Sequence, residues 1–340
     1  MTPAILSFAG TALSAEERAF FRDCDPAGYI LFGRNIESRE QLRALTDDLR
    51  AIQGREKLFI CIDQEGGRVA RMKPPVWPAF PPGERFDRLY DIAPATAIEA
   101  ARVNATALGL ELAEAGITVD CHPSLDVRVD GAHDVIGDRA LGRDPMRVAA
   151  LGRAILDGFA SAGVAGCIKH MPGHGRSMAD SHKELPRVEA SAEELEHDLA
   201  PFRALADYPI GMTCHLVFEA WDPEHPATQS PTVVNDIIRG EIGFDGLLLT
   251  DDIDMQALEG TIPERSEKAL AAGCDLVLNC WGRMDDMRGI AERCGALSDQ
   301  GMQRLDRALE ATDLARGDLA QREDLIAKRD ALLNAAEVAA

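Results

Sequence analysis

The chain has 340 residues, 46% hydrophobic and 27% charged, and no run approaches the ~20 apolar residues of a membrane span. A formal net charge of −21, with no cluster of Lys and Arg to offset it, argues against nucleic acid or an anionic membrane surface as a partner. The length suits one large α/β barrel, and no composition break marks a second domain.

Short apolar runs alternate with helical patterns from the first residues onward. The runs are 4–7, 28–32, 58–62, 117–120, 166–169, 210–214, 246–250 and 275–278, each apolar on both faces as a parallel strand under helices must be. Between them, Ser38 with Gln41 and Ser191 with Glu194 have the spacing of capping boxes. Gly116, Gly163 and Gly273 directly follow helical stretches, as helix-ending glycines do. Eight strand–helix units predict an α/β fold, a (β/α)8 TIM barrel, as one domain over residues 1–340. A doubly wound open sheet is the rival pattern. The tail from Ser298 reads as two extra C-terminal helices, and 72–94 and 171–186 read as long irregular loops on the catalytic face.

None of the eight cysteines forms a C-x-x-C, and Cys61, Cys167, Cys214 and Cys280 lie in or beside apolar runs. Buried, reduced thiols are expected. The start lacks the basic segment and apolar length of a secretory signal, which points to the cytoplasm.

Polar residues gather where the runs stop. Asp63-Gln64-Glu65 follows the third run, Lys169-His170 the fifth, His215 the sixth, Asp251-Asp252 the seventh and Asn279 the eighth. That layout is a barrel active site, although single members could be helix caps. Asp251 ends an apolar strand, which suits a rigidly held nucleophile; Asp252 and Asp254 could instead cap a helix beginning near Met255. From Lys169 to His182 there are three histidines and further ionisable groups. Metal binding is one reading, but the H-x-H and H-E-x-x-H spacings are missing; a structural loop is another. In an extended loop Asp180 and His182 would point the same way, and the carboxylate would orient the imidazole as an acid/base pair.

The segment Lys169-His170-Met171-Pro172-Gly173-His174-Gly175 with Asp180-Ser181-His182 resembles the K-H-F-P-G-H-G…D-S-H signature of family 3 glycoside hydrolases, specifically their β-N-acetylglucosaminidase branch. Asp63-Gln64-Glu65-Gly66-Gly67-Arg68-Val69, Gly137-Asp138-Arg139 and Thr250-Asp251-Asp252-Ile253 resemble three further elements of that branch, in matching order. Met171 stands where the family usually has Phe, and Ile253-Asp254-Met255 where Leu-Ser-Met is commoner. The resemblance implies a retaining exo-β-N-acetylglucosaminidase acting on cytoplasmic muropeptides in cell-wall recycling, without cofactor or metal. By motif it makes Asp251 the nucleophile and His182, paired with Asp180, the acid/base. Asp63, Arg71, Arg139, Lys169 and His170 would hold the sugar. A phosphorylase or β-glucosidase on the same barrel, and a metal-dependent amidohydrolase, are the alternative activities.

Overall fold

The structure, a computed structural model, describes residues 1–178 and 185–337. Eight parallel strands form its centre: β1 (Thr2–Leu6), β2 (Pro26–Leu31), β3 (Phe59–Ile62), β4 (Val119–Asp120), β5 (Ile168–Met171), β6 (Ile210–Thr213), β7 (Leu247–Asp252) and β8 (Leu276–Asn279). They pair in the order β4-β3-β2-β1-β8-β7-β6-β5. The ring closes between β4 and β5, where the Asp120 amide donates to the Ala165 carbonyl at 2.9 Å and the Cys167 amide to the His122 carbonyl at 2.9 Å. Every expected strand is present, shifted by a few residues, and the open-sheet rival falls with the closure.

Each strand is buried on both faces because two cores meet in it. Inside the ring, Ile5, Ile30, Cys61, Cys121, Cys167 and Leu249 fill the barrel. Outside, Leu6, Tyr29, Ile60 and Leu248 pack on the helices. All eight cysteines are free thiols, six of them buried as small apolar fillers. At the N-terminal end of the barrel Asp275 pins three elements: it accepts from Arg239 at 2.8 Å, Arg304 at 3.0 Å and the Leu248 amide at 2.9 Å. Charge spent there serves stability, which leaves the opposite face for chemistry.

Helix boundaries follow local chemistry. Ser191 and Glu194 make the expected reciprocal box at the start of helix Ala192–Ala204. Ser38 caps helix Arg39–Gln53 through the Gln41 amide, but the Gln41 side chain accepts from the Glu37 amide at 2.8 Å, so no box forms. The stretch 72–94 is not all loop: it contains helix Gly83–Ile92, whose Phe86 and Leu89 are buried. No helix starts near Met255. The next one runs Ile262–Ala272 with Thr261 as its cap, so Asp252 and Asp254 are not capping residues. The two tail helices are Asp299–Glu310 and Arg322–Glu337. Among the described residues no helix is long and apolar enough to cross a membrane.

Candidate active site

A cavity of about 180 Å³ opens at the C-terminal ends of the strands. Asp63 after β3, Lys169 and His170 in β5 and Asp251 in β7 all face it. Arg71 and Arg139 enter from the loops after β3 and β4. All six described residues predicted for the site therefore meet in one place. Asp180 and His182 lie outside the described residues.

The loop after β3 is shaped by Gln64 and two glycines. The Gln64 side chain accepts from the amides of Arg71 at 2.7 Å and Met72 at 3.0 Å and donates to the Met72 carbonyl at 2.8 Å, folding 63–72 back on itself. Gly66 and Gly67 have φ of 99° and 56°, and a Cβ on Gly66 would lie 2.4 Å from the Pro81 carbonyl oxygen. Only glycine fits that turn.

This turn delivers two carboxylates to three cations. Glu65 receives a two-pronged bond from Arg139 at 2.8 and 2.7 Å and lies 2.7 Å from Lys169 Nζ. Asp63 lies 3.3 Å from the same ammonium and 3.1 Å from Arg71. Lys169 is 2% exposed, so it is charged only because the carboxylates surround it. Burial would lower its pKa, but Glu65 and Asp63 more than reverse that. Burial would raise Glu65, and Arg139 and Lys169 hold it well below the usual carboxylate range. Ion-paired and fixed, these donors can bind the hydroxyls of a small polar ligand at little cost in reorganisation.

On the other wall, Asp126 organises two histidines. It accepts from His170 Nδ1 at 2.7 Å and from the His174 amide at 2.6 Å, and Ser124 Oγ donates to it at 2.8 Å. The bond to Nδ1 turns the Nε2 edge of His170 away from Asp126. Asp251 is half-buried at the end of β7, and the Asp252 amide donates to it at 2.8 Å. Burial would raise its carboxyl, but His170, His215, that amide and Lys169 prevail and hold it at about 2. These neighbours favour the ionised carboxylate, the form in which such a group can act as a nucleophile without a base. Burial and its neighbour Asp254 push Asp252 well up. Asp254 accepts from Asn279 at 2.7 Å and the Cys280 amide at 3.1 Å, tying β7 to β8.

Glu65, Asp126 and His174 were not singled out from sequence. Glu65 and His174 stand inside quoted motifs, and their signal was there to be used. Asp126 follows His122-Pro123-Ser124 after a strand of two residues, with no periodic pattern to flag it. His215 bonds Thr228 at 2.8 Å and the Asp252 carbonyl at 3.0 Å, so it braces β7 rather than facing the cavity. Among the described residues no group of His, Cys, Asp and Glu is arranged to hold a metal ion.

His122 lies beneath this network, fully buried, its ring edge-on to Phe159. Burial lowers it from 6.5 to about 4. Because the folded value is the lower one, the unfolded chain takes up the proton first as pH falls. The stability this neutral ring confers is intact above pH 6.5 and is lost towards pH 4, a loss of up to about 3 kcal/mol. Urea unfolding at pH 7 and pH 4.5 is expected to show that loss, and His122→Gln to shrink it. An identical drop in the variant would rule out His122 as the cause.

The profile of the glycosyl hydrolase family 3 N terminal domain matches residues 4–312. Beta-hexosaminidases from Bordetella avium and Alkalilimnicola ehrlichii are 39% and 41% identical over 82% of this chain and 80% of their own lengths. The structure of NagZ from Neisseria gonorrhoeae in complex with N-trifluoroacetyl-D-glucosamine matches with a TM-score of 0.88 at 32% identity, covering 98% of each chain. A family 3 beta-N-acetylglucosaminidase from Paenibacillus sp. str. FPU-7 matches with a TM-score of 0.81 at 32% identity, covering 95% of this chain and 61% of that one. With its closed barrel and its acid-and-base-lined cavity, this chain is a glycoside hydrolase and belongs to glycosyl hydrolase family 3.

Proposed function

We propose that the chain is a retaining exo-β-N-acetylglucosaminidase, acting as one barrel domain. The observation that carries this reading is an ionised Asp251 facing the same sugar-sized cavity as Asp63, Arg71, Arg139, Lys169 and His170. Similarity to beta-hexosaminidases and to a NagZ bound to an N-acylated glucosamine supports the choice of sugar. The Asp251 carboxylate attacks the anomeric carbon and forms an ester to it as the glycosidic C–O bond breaks. The leaving oxygen takes a proton from the acid/base, a role the sequence motif gives to His182 with Asp180 as its partner. The same imidazole then takes a proton from water, whose oxygen displaces Asp251 and restores the anion. Asp63, Arg71, Arg139, Lys169 and His170 hold the hydroxyls of the terminal sugar. The family resemblance supports N-acetylglucosaminyl-anhydro-N-acetylmuramic acid, with or without peptide, as substrate in the cytoplasm.

Assay of a chromogenic β-N-acetylglucosaminide beside the matching β-glucoside tests the reading. The acetamido substrate is expected to win by at least about 100-fold in kcat/KM, since a site built to bind an N–H and C=O rejects a ligand lacking them. Equal rates would contradict it.

A further inference from the structure

A second cavity, of about 530 Å³, adjoins the sugar pocket; Asp252 lines both. Trp281, Arg283 and Arg265 face into it beside Asp254 and Asp286. Trp281 is 57% exposed, which for a single surface aromatic would call for no explanation. Its setting does. The indole sits on a turn held on both sides: the Asp254 carboxylate accepts from the preceding Cys280 amide at 3.1 Å, and Gly282, at φ 64°, lies against the Phe8 backbone so closely that a Cβ would come within 2.9 Å of it. The Arg283 guanidinium stacks on the indole at 5.1 Å. Arg265 donates to the carbonyls of Gly260, Ile253 and Met255 at 2.9–3.1 Å, fixing the opposite wall. Among the described residues neither arginine makes an ion pair, in a chain with 57 acidic against 36 basic residues. An exposed aromatic face on a held turn, flanked by planar donors and carboxylate acceptors, is the chemistry that recognises a pyranose: ring C–H groups on the indole, hydroxyls on the polar edge.

We infer that Trp281, with Arg283 and Arg265, forms the binding surface for a sugar leaving group, so that the enzyme selects disaccharide substrates over simple glycosides. This rests on the glycosidase reading above and adds the leaving-group side of the bond. Trp281 is a specificity residue here, not a catalytic one.

The test compares kcat/KM on N,N′-diacetylchitobiose, whose leaving group is a sugar, with that on N-acetyl-β-D-glucosaminyl fluoride, whose leaving group is a bare ion. In Trp281→Ala the chitobiose-to-fluoride ratio is expected to fall about tenfold, the effect of losing one well-stacked aromatic contact. Trp281→Phe keeps an aromatic face and should restore most of the ratio. A partly unfolded preparation lowers both rates alike and cancels. A ratio in Trp281→Ala equal to wild type overturns the subsite while leaving the glycosidase intact. Wild-type enzyme that cleaves neither compound overturns the glycosidase reading, and the subsite with it.

Discussion

Replacing Asp251 with Asn is expected to lower kcat by roughly 10⁴-fold and leave the melting temperature unchanged or raised. The amide oxygen of Asn can still accept the Asp252 N–H, which at 2.8 Å is the one hydrogen bond holding the carboxylate among the described residues. What it lacks is the negative charge that the proposed mechanism directs at the anomeric carbon. That charge is costly to keep at a half-buried position, and it persists because His170 and Lys169 face it. Removing a charge that serves chemistry rather than packing relieves the fold. Steady-state kinetics beside thermal unfolding reads both effects. A variant that retains more than about a tenth of wild-type kcat would deny Asp251 the nucleophile's role.

The second large effect is expected at Glu65. Glu65→Gln leaves Lys169 and Arg139 side by side with only Asp63 and the neutral amide to offset them. Breaking a buried ion pair from one side costs about 3–5 kcal/mol, because the surviving charge has neither water nor partner. In a chain of this size that lowers the melting temperature by roughly 5–10 °C. Activity falls as well, by roughly 100-fold in kcat/KM, since Lys169 and Arg139 lose the anion that aims them. Adding Lys169→Met should recover part of the stability and none of the activity. The two substitutions are then coupled, as partners in one network must be. Additive losses in the double variant would show that the two residues do not sense each other.

The strands were legible because a strand buried on both faces has to be apolar throughout. The shortest, Val119–Asp120, was found from its run even though its ladder is only two residues long. Helix Gly83–Ile92 was hidden because Pro81, Pro82 and Gly83 crowd its start, and punctuation of that kind reads as loop. The candidate site was legible where its residues stand at strand ends or inside a motif: Asp63, Lys169, His170 and Asp251, which line one cavity. It was not legible where function is a relation between distant residues. Nothing near Asp126 in the chain says that it will meet His170, 44 residues on. Likewise Asp252 and Asp254 looked like caps of a nearby helix. Only folding shows that Asp254 reaches Asn279 on the next strand. Trp281 gave no signal either, because an exposed aromatic acquires meaning only from the cavity beside it.

Trapping the sugar on the protein is the most direct test of the whole scheme. A slow 5-fluoro analogue of an N-acetylglucosaminyl fluoride, followed by proteolysis and peptide mass spectrometry, reports which side chain attacks. The expected result is one sugar attached to the peptide bearing Asp251, and none in Asp251→Asn. Sugar attached to another residue, or no attachment together with strong inhibition by an oxazoline mimic, would contradict a covalent intermediate on Asp251.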